Sequence, residues 1–124
     1  MPFIKIHLAA ERSSEQKKSL VQECASAVSS ALDVSGSVVH VFLDSYGADS
    51  ALIGQDPAAE MVLFEVYLLE GRSAQEKEAA IAALDAAGVR CLGVSAKASR
   101  VIIHDLAREN YGTTGGISAL KAGL

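Results

Sequence analysis

The sequence predicts an α/β protein made of two tandem βαβ units, which together form a four-stranded mixed sheet with two helices on one face. Three observations point there. Apolar and polar residues alternate over 2–8, and an apolar-rich run covers 62–69, as strands require. Ser13 and Ser73 each precede Gln16 and Glu76 by three residues, the capping-box signature of a helix start. The chain also repeats itself at an offset of 60: residues 1–8 lie on 61–68, Arg12-Ser13 on Arg72-Ser73, Lys17 on Lys77, Leu32 on Leu92, Val34-Ser35 on Val94-Ser95 and Val41 on Val101. A period of that length marks a duplicated supersecondary unit.

Each element follows from its own residues. Phe3, Lys5 and His7 alternate with Ile4, Ile6 and Leu8, so residues 2–8 are the first strand. A helix opens at Ser13 and carries the stripe Leu20, Cys24, Ala27 or Val28, and Ala31 as far as Leu32. The β-branched run from Val38 to Leu43 is the second strand, and a helix between two strands makes them parallel. Residues 1–44 are thus the first unit, and 45–61 are a linker broken by Gly47, Gly54 and Pro57. Residues 62–124 repeat the plan with a strand at 62–69 and a helix bearing Ile81, Leu84, Gly88 and Cys91 as far as Leu92. A strand at Val101-Ile102-Ile103 and a turn or small hairpin at 110–116 complete the second unit. By length the two units form one compact domain. The second face of the sheet needs a cover, and self-association supplies one economically.

Composition narrows the function classes. Half of the 124 residues are apolar, only 5% are aromatic and Trp is absent, so the core is built mainly from Ala, Val, Leu and Ile. Mean hydropathy is positive at +0.27, yet no apolar run is long enough to span a bilayer. Such a small, apolar-rich domain is expected to share surface with copies of itself. A net charge of −4 argues against a nucleic-acid partner, since phosphate binding needs a basic face. Cys24 and Cys91 do not correspond in the repeat and form no CxxC, so they read as buried, reduced thiols. No basic or apolar leader precedes the first strand, and a cytoplasmic location is expected. The three histidines lack metal-ligand spacing, and no metal site is expected. His104 and Asp105 are strand neighbours facing opposite ways, which rules out a dyad. No Lys follows Gly112 to Gly116, so that stretch reads as a turn rather than a phosphate loop.

Pro2 carries the chemical signal. While Met1 is attached, its nitrogen is a tertiary amide; removal of Met1 leaves a secondary amine that can exchange a proton or attack a carbonyl. Many chains begin Met-Pro without consequence, so the rest of the sequence must supply the context.

That context is a resemblance. Residues 2–8, Glu11-Arg12-Ser13 and Glu15-Gln16-Lys17-Lys18 resemble the start of the 4-oxalocrotonate tautomerase family. Residues 69–73, 99–103 and Tyr111-Gly112 with Gly115-Gly116 resemble the same family again. The chain is thereby identified as a fused, tandem member of the tautomerase superfamily, and the resemblance implies a trimer of pseudo-dimers (a pseudo-hexamer) with no cofactor. It also implies that Pro2 is the catalytic base, with only Val62 behind Met61 at the matching place in the second half. The first family arginine falls on both Arg12 and Arg72, and which of them serves Pro2 stays open. The second falls on Arg100, where the first half has His40, and the aromatic wall falls on Tyr111, where the first half has Ala51. Thr113-Thr114 lengthens the terminal turn relative to the family spacing, which bears on pocket shape.

The chemistry implied is ketonisation of a small 2-hydroxydienoate acid. A base at neutral pH must be largely unprotonated, and guanidinium charges or an apolar pocket lower an amine's pKa from about 7.7–8.0. Arginines also stabilise the dienolate that forms in transit. Each candidate has a plainer reading. Arg12 or Arg72 also reads as a partner of Glu15 or Glu76, Arg100 as an edge-strand charge and Tyr111 as a packed turn residue. His7 reads more readily as a surface or interface side chain than as a proton shuttle. Two other functions compete: a haloacrylate dehalogenase-hydratase or decarboxylase of the same superfamily, and a non-catalytic ferredoxin-like binding or assembly module. The hydratase needs a carboxylate to activate water, and the sequence places none in the pocket.

Overall fold

The computed structural model describes residues 1–56 and 58–124; Pro57, read above as a linker breaker, lies outside the described residues. The order is β1 (Phe3–Ala9), α1 (Ser14–Leu32), β2 (His40–Ser45), β3 (Met61–Leu69), α2 (Ala74–Leu92), β4 (Ser99–Leu106) and a short α3 (Ala119–Ala122). The sheet runs β2-β1-β3-β4. β1 is parallel to β2 and β3 to β4, while β1 and β3 are antiparallel with Phe3 opposite Tyr67 and Ala9 opposite Met61. This is the mixed four-stranded sheet expected from the repeat, and the antiparallel centre relates its two βαβ units by an approximate two-fold axis.

Both long helices begin as their sequences require. The Ser13 hydroxyl accepts from the Gln16 N–H while the Gln16 side chain reaches back, and Ser73 and Glu76 do the same for α2. Ile4, Ile6 and Leu8 of β1 and Val62, Phe64, Val66 and Leu68 of β3 point at these helices and are fully or nearly fully buried. They meet Leu20, Cys24, Val28 and Leu32 of α1 and Ala80, Leu84, Ala87 and Leu92 of α2 in one continuous core. Gly88 lets α2 lie close to the sheet, because a Cβ there would meet the Phe64 ring at 3.3 Å.

Several details depart from the sequence reading. Val28, not Ala27, is the buried member of the α1 stripe, and Ile81 on α2 is 39% exposed. Ala80 faces the core in its place, because the buried face of α2 is narrow enough for small residues to fill. Cys91 is only half-buried, while Cys24 is fully buried; both are free thiols. Burial pushes the Cys24 thiol up to about 12, so it is inert at neutral pH. β2 begins at His40 rather than Val38, because Ser35 caps a 3-10 turn over Gly36–Val38 that uses those residues first. Within residues 45–61 a small bridge joins Ile53 and Asp56, and at the C-terminus a Gly112–Ser118 bridge is followed by α3.

The face of the sheet away from the helices carries Phe3, Lys5, His7, Phe42, Leu63, Glu65, Tyr67, Ile102 and His104. Phe42 is 60% exposed on it and Ile102 46%. Among the described residues no helix is long and apolar enough to cross a membrane.

Candidate functional site

Pro2 sits at the head of β1, its side chain fully buried and its carbonyl accepting from the His40 N–H at 3.1 Å. The Met1 ammonium donates to the Val38 carbonyl at 3.1 Å, and burial lowers its pKa from the ordinary α-amino value. Because β1 and β3 are antiparallel, Pro2 lies beside the end of β3 and the turn that follows it. A cavity of about 350 Å³ opens there, lined by Met1, Pro2, Leu69, Gly71 and the charged side chains of Glu70, Arg72, Glu76 and Arg108.

Arg72 is therefore the arginine that the fold brings to Pro2. It donates to Glu76 at 2.7 Å and to the Leu32 carbonyl at the end of α1 at 2.8 Å. Both contacts fix the guanidinium at the cavity wall, and the second complements the negative end of the helix. Glu76 is held below the usual carboxylate range chiefly by its hydrogen bond to Arg72. Arg108 donates to Glu70 at 3.2 Å and, through Nε, to the Leu124 carbonyl oxygen at 2.6 Å. Glu70 and Glu76 overturn the expectation that no carboxylate lines this pocket: the turn after β3 and the first turn of α2 carry one each.

Arg12 holds the matching place at the other end of the molecule. A seven-residue strand separates it from Pro2, about 23 Å at 3.3 Å per residue. Its guanidinium takes both oxygens of Glu60, at 2.8 and 3.1 Å, and reaches the Leu92 carbonyl at 3.4 Å. Its partner is thus Glu60, not Glu15, because the chain returning into β3 passes directly beside it. Val62 stands there in place of a proline.

Arg100 also lies at the far end. It pairs with Leu63 in the β3–β4 register and donates to the carbonyls of Lys97 and Ser99 at 2.9 and 2.7 Å. One copy of the chain does not bring Arg100 to Pro2. Tyr111 does lie on the Pro2 side: its ring meets that of Phe3, the next residue, edge-on at 6.1 Å. His7 sits on the open sheet face, where Nε2 donates to Glu65 at 2.5 Å and Nδ1 meets the Tyr46 hydroxyl at 2.5 Å. His104 joins the same carboxylate at 3.0 Å. These contacts place His7 in a cross-strand cluster outside the cavity.

Sequence reasoning missed Glu70 and Arg108. The signal was present in the repeat, where the matching positions are Ala10 and Ala48. Among the described residues, no three His, Cys, Asp or Glu side chains gather as a metal site.

Comparison with known proteins agrees with this fold. The family model described as tautomerase enzyme matches twice, over residues 2–60 and 63–120. The 2-hydroxymuconate tautomerase of Comamonas testosteroni is 40% identical over 63 residues, which is 51% of this chain and 98% of that protein. Among solved structures, Pt0534 inactivated by 2-oxo-3-pentynoate superposes with a TM-score of 0.95 at 29% identity, covering 98% of this chain and 99% of that one. A fused 4-OT that forms a symmetric trimer (Q0) gives 0.92 at 28% identity, with the same coverage of both chains. Another that forms an asymmetric trimer (F6) gives 0.91 at 26%, again covering 98% and 99%.

Proposed function

This chain belongs to the tautomerase family, and from that premise we propose that it converts small 2-hydroxydienoate acids to conjugated ketones with the Pro2 amine as general base. The observation that carries this reading is the position of Pro2, buried at the head of β1 and facing a cavity that holds Arg72 and Arg108. Removal of Met1 turns the Pro2 nitrogen into a secondary amine at the cavity wall. Burial already lowers the pKa of the ammonium one residue earlier. The same desolvation, with two guanidinium groups nearby, favours the free base at neutral pH.

The reaction is an isomerisation and needs no co-reactant. Pro2 takes the 2-hydroxyl proton; the O–H electron pair becomes the C2 carbonyl bond, the C2=C3 pair moves to C3=C4, and the C4=C5 pair becomes the C5 lone pair that accepts a proton. The proton on Pro2 is then delivered to C5. Arg72 holds the dienolate charge near the base, where a low-dielectric wall makes each charge-assisted hydrogen bond stronger than in water. Arg100 acts in a neighbouring copy, since it lies at the opposite end of its own sheet from Pro2. The assembly that supplies it is a homotrimer, as in the fused relatives named above, and it also covers the open sheet face. Tyr111 forms part of the wall beside Phe3.

The test is ultraviolet-monitored ketonisation of 2-hydroxymuconate by untagged protein whose intact mass shows Met1 removed. Pro2→Ala is expected to lower kcat/KM at least a hundredfold, in the range of general-base losses; unchanged turnover would overturn the reading. A hydratase acting on haloacrylates is the second reading, because Glu70 and Glu76 line the cavity. Each is tied to an arginine in the resting site, which leaves neither free to activate water. Halide release from 3-chloroacrylate exceeding the rate of ketonisation would favour it.

A further inference from the structure

The approximate two-fold axis gives the Pro2 end of the sheet a counterpart at the head of β3. Val62 stands there against Pro2, and Arg12 against Arg72. Each arginine reaches the carbonyl at the end of the opposite half's helix, Leu92 for Arg12 and Leu32 for Arg72. The carboxylates that meet them do not correspond. Arg72 takes Glu76, four residues on, which is also the cap partner of its own helix. Gln16 holds the matching place in α1 and reaches back to Ser13. Arg12 instead takes Glu60, 48 positions along the chain and the last residue before β3.

The form of that contact is the one an arginine makes with a bound acid. Both terminal nitrogens of Arg12 donate to the two oxygens of Glu60, at 3.1 and 2.8 Å, whereas Arg72 gives its carboxylate a single nitrogen. Arg12 is 13% exposed and Glu60 49%, so the carboxylate approaches a nearly buried cation from the solvent side. Neither cap nor register requires it, since Gln16 already closes the cap and Glu60 lies outside β3. The fit is also incomplete: the Arg12 Nε is buried without a hydrogen-bond partner among the described residues. Beside the pair lies a cavity of about 280 Å³, walled by Glu60 and by small residues that include Ala9, Ala10, Ala48 and Ala59. Arg12 does not line it, as a carboxylate set between the guanidinium and that space requires.

We propose that the head of β3 is a second, latent site for small carboxylic acids, which Glu60 holds closed by lying on Arg12 as an internal carboxylate ligand. This rests on the Pro2 cavity being where the acid substrate binds, from which the matching place in the second half follows by the two-fold axis. A side chain of the same molecule competes at an effective concentration of about millimolar or higher, so dilute free acid does not displace it. Val62 offers no amine, and an acid bound there would not react. Closing the site leaves each chain with one place for substrate.

The experiment titrates muconate, an unreactive six-carbon diacid, into isotope-labelled Met1-free protein and follows the Nε–H resonances of Arg12 and Arg72 by NMR. In the wild type Arg72 is expected to shift and Arg12 to stay. In Glu60→Gln, which keeps the side chain's shape and removes its charge, Arg12 should shift as well, at a muconate midpoint about tenfold or more below any found for it in the wild type. Glu60→Ala should behave alike, so a folding defect in one variant leaves the other to decide. Glu23→Gln, which frees the exposed Arg90 instead, is the control and leaves Arg12 unmoved. An Arg12 signal that moves equally in wild type and Glu60 variants, or in none of them, would overturn the proposal. An Arg72 signal unmoved in every protein would fail the functional reading instead, because Arg12 reports separately on its own end of the sheet.

Discussion

Arg12 and Arg72 occupy matching positions in the repeat, yet their surroundings assign them different work. Arg12 is 13% exposed; its two terminal nitrogens are taken by the oxygens of Glu60, while its buried Nε has no hydrogen-bond partner among the described residues. Arg72 faces the cavity with one nitrogen shared between Glu76 and a helix-end carbonyl. Arg72→Gln is therefore expected to lower kcat/KM for 2-hydroxymuconate about ten- to a hundredfold, the scale of one lost charge-assisted hydrogen bond. Arg12→Gln should cost at least tenfold less activity, and its main effect should be on stability, because it removes a mostly buried guanidinium's bonds to Glu60 and to the Leu92 carbonyl. Steady-state kinetics on both variants, with thermal denaturation alongside, checks the contrast. Equal kinetic losses would mean that Arg12 reaches a Pro2 site in another copy of the chain.

At the scale of elements, the helix-to-sheet spacing is set by Gly88 on α2, over Phe64 and Val62 of β3. A β-branched side chain there must displace the Phe64 ring or lift the helix. Gly88→Val is expected to destabilise the fold by about 1–3 kcal/mol, read from the urea midpoint. The three strands β1, β3 and β4 are also tied on the open face by Glu65, which receives His7 and His104. The hydrogen bond from His7 is the main reason that Glu65 is held below the usual carboxylate range, with His104 adding to it. A carboxylate whose folded pKa is depressed contributes stability that is complete above its unfolded value, about 4.3 for Glu, and is lost as pH falls through the folded value. The wild-type Tm should therefore drop between about pH 5 and 3 more steeply than that of Glu65→Gln, which has no such charge to lose. Parallel slopes from a calorimetric pH series would remove Glu65 from that role.

For the whole molecule, one copy of the chain separates the residues of the proposed site. Pro2, Arg72, Arg108 and Tyr111 gather at one end of the sheet, while Arg100 lies at the other. The sheet face between them leaves Phe42 and Ile102 largely exposed. The proposed trimer would address both features, by burying that face and bringing one copy's Arg100 toward another's Pro2. Light scattering is expected to give three times the chain mass at micromolar concentration. Phe42→Asp, which places a charge on the exposed face, should shift the mass toward one chain and cut turnover with it. A fully active single chain would refute the shared site.

Much was legible before folding. Period-2 alternation, two Ser-x-x-Gln/Glu caps and a 60-residue repeat specify elements and their order, because strand alternation, capping and duplication are local or periodic properties of a chain. Pro2 and the family resemblance likewise need only linear sequence. What the sequence left open was which of two equivalent arginines stands beside Pro2, and that no carboxylate lines its cavity was an expectation the fold reversed. The antiparallel pairing of β1 with β3 settles the first by putting the end of β3, rather than the end of β1, next to Pro2. The same pairing brings Glu70, Glu76 and Arg108 into the cavity. Such proximities join residues some 70 to 110 positions apart, and no local preference encodes them; they arise only when two strands are laid side by side.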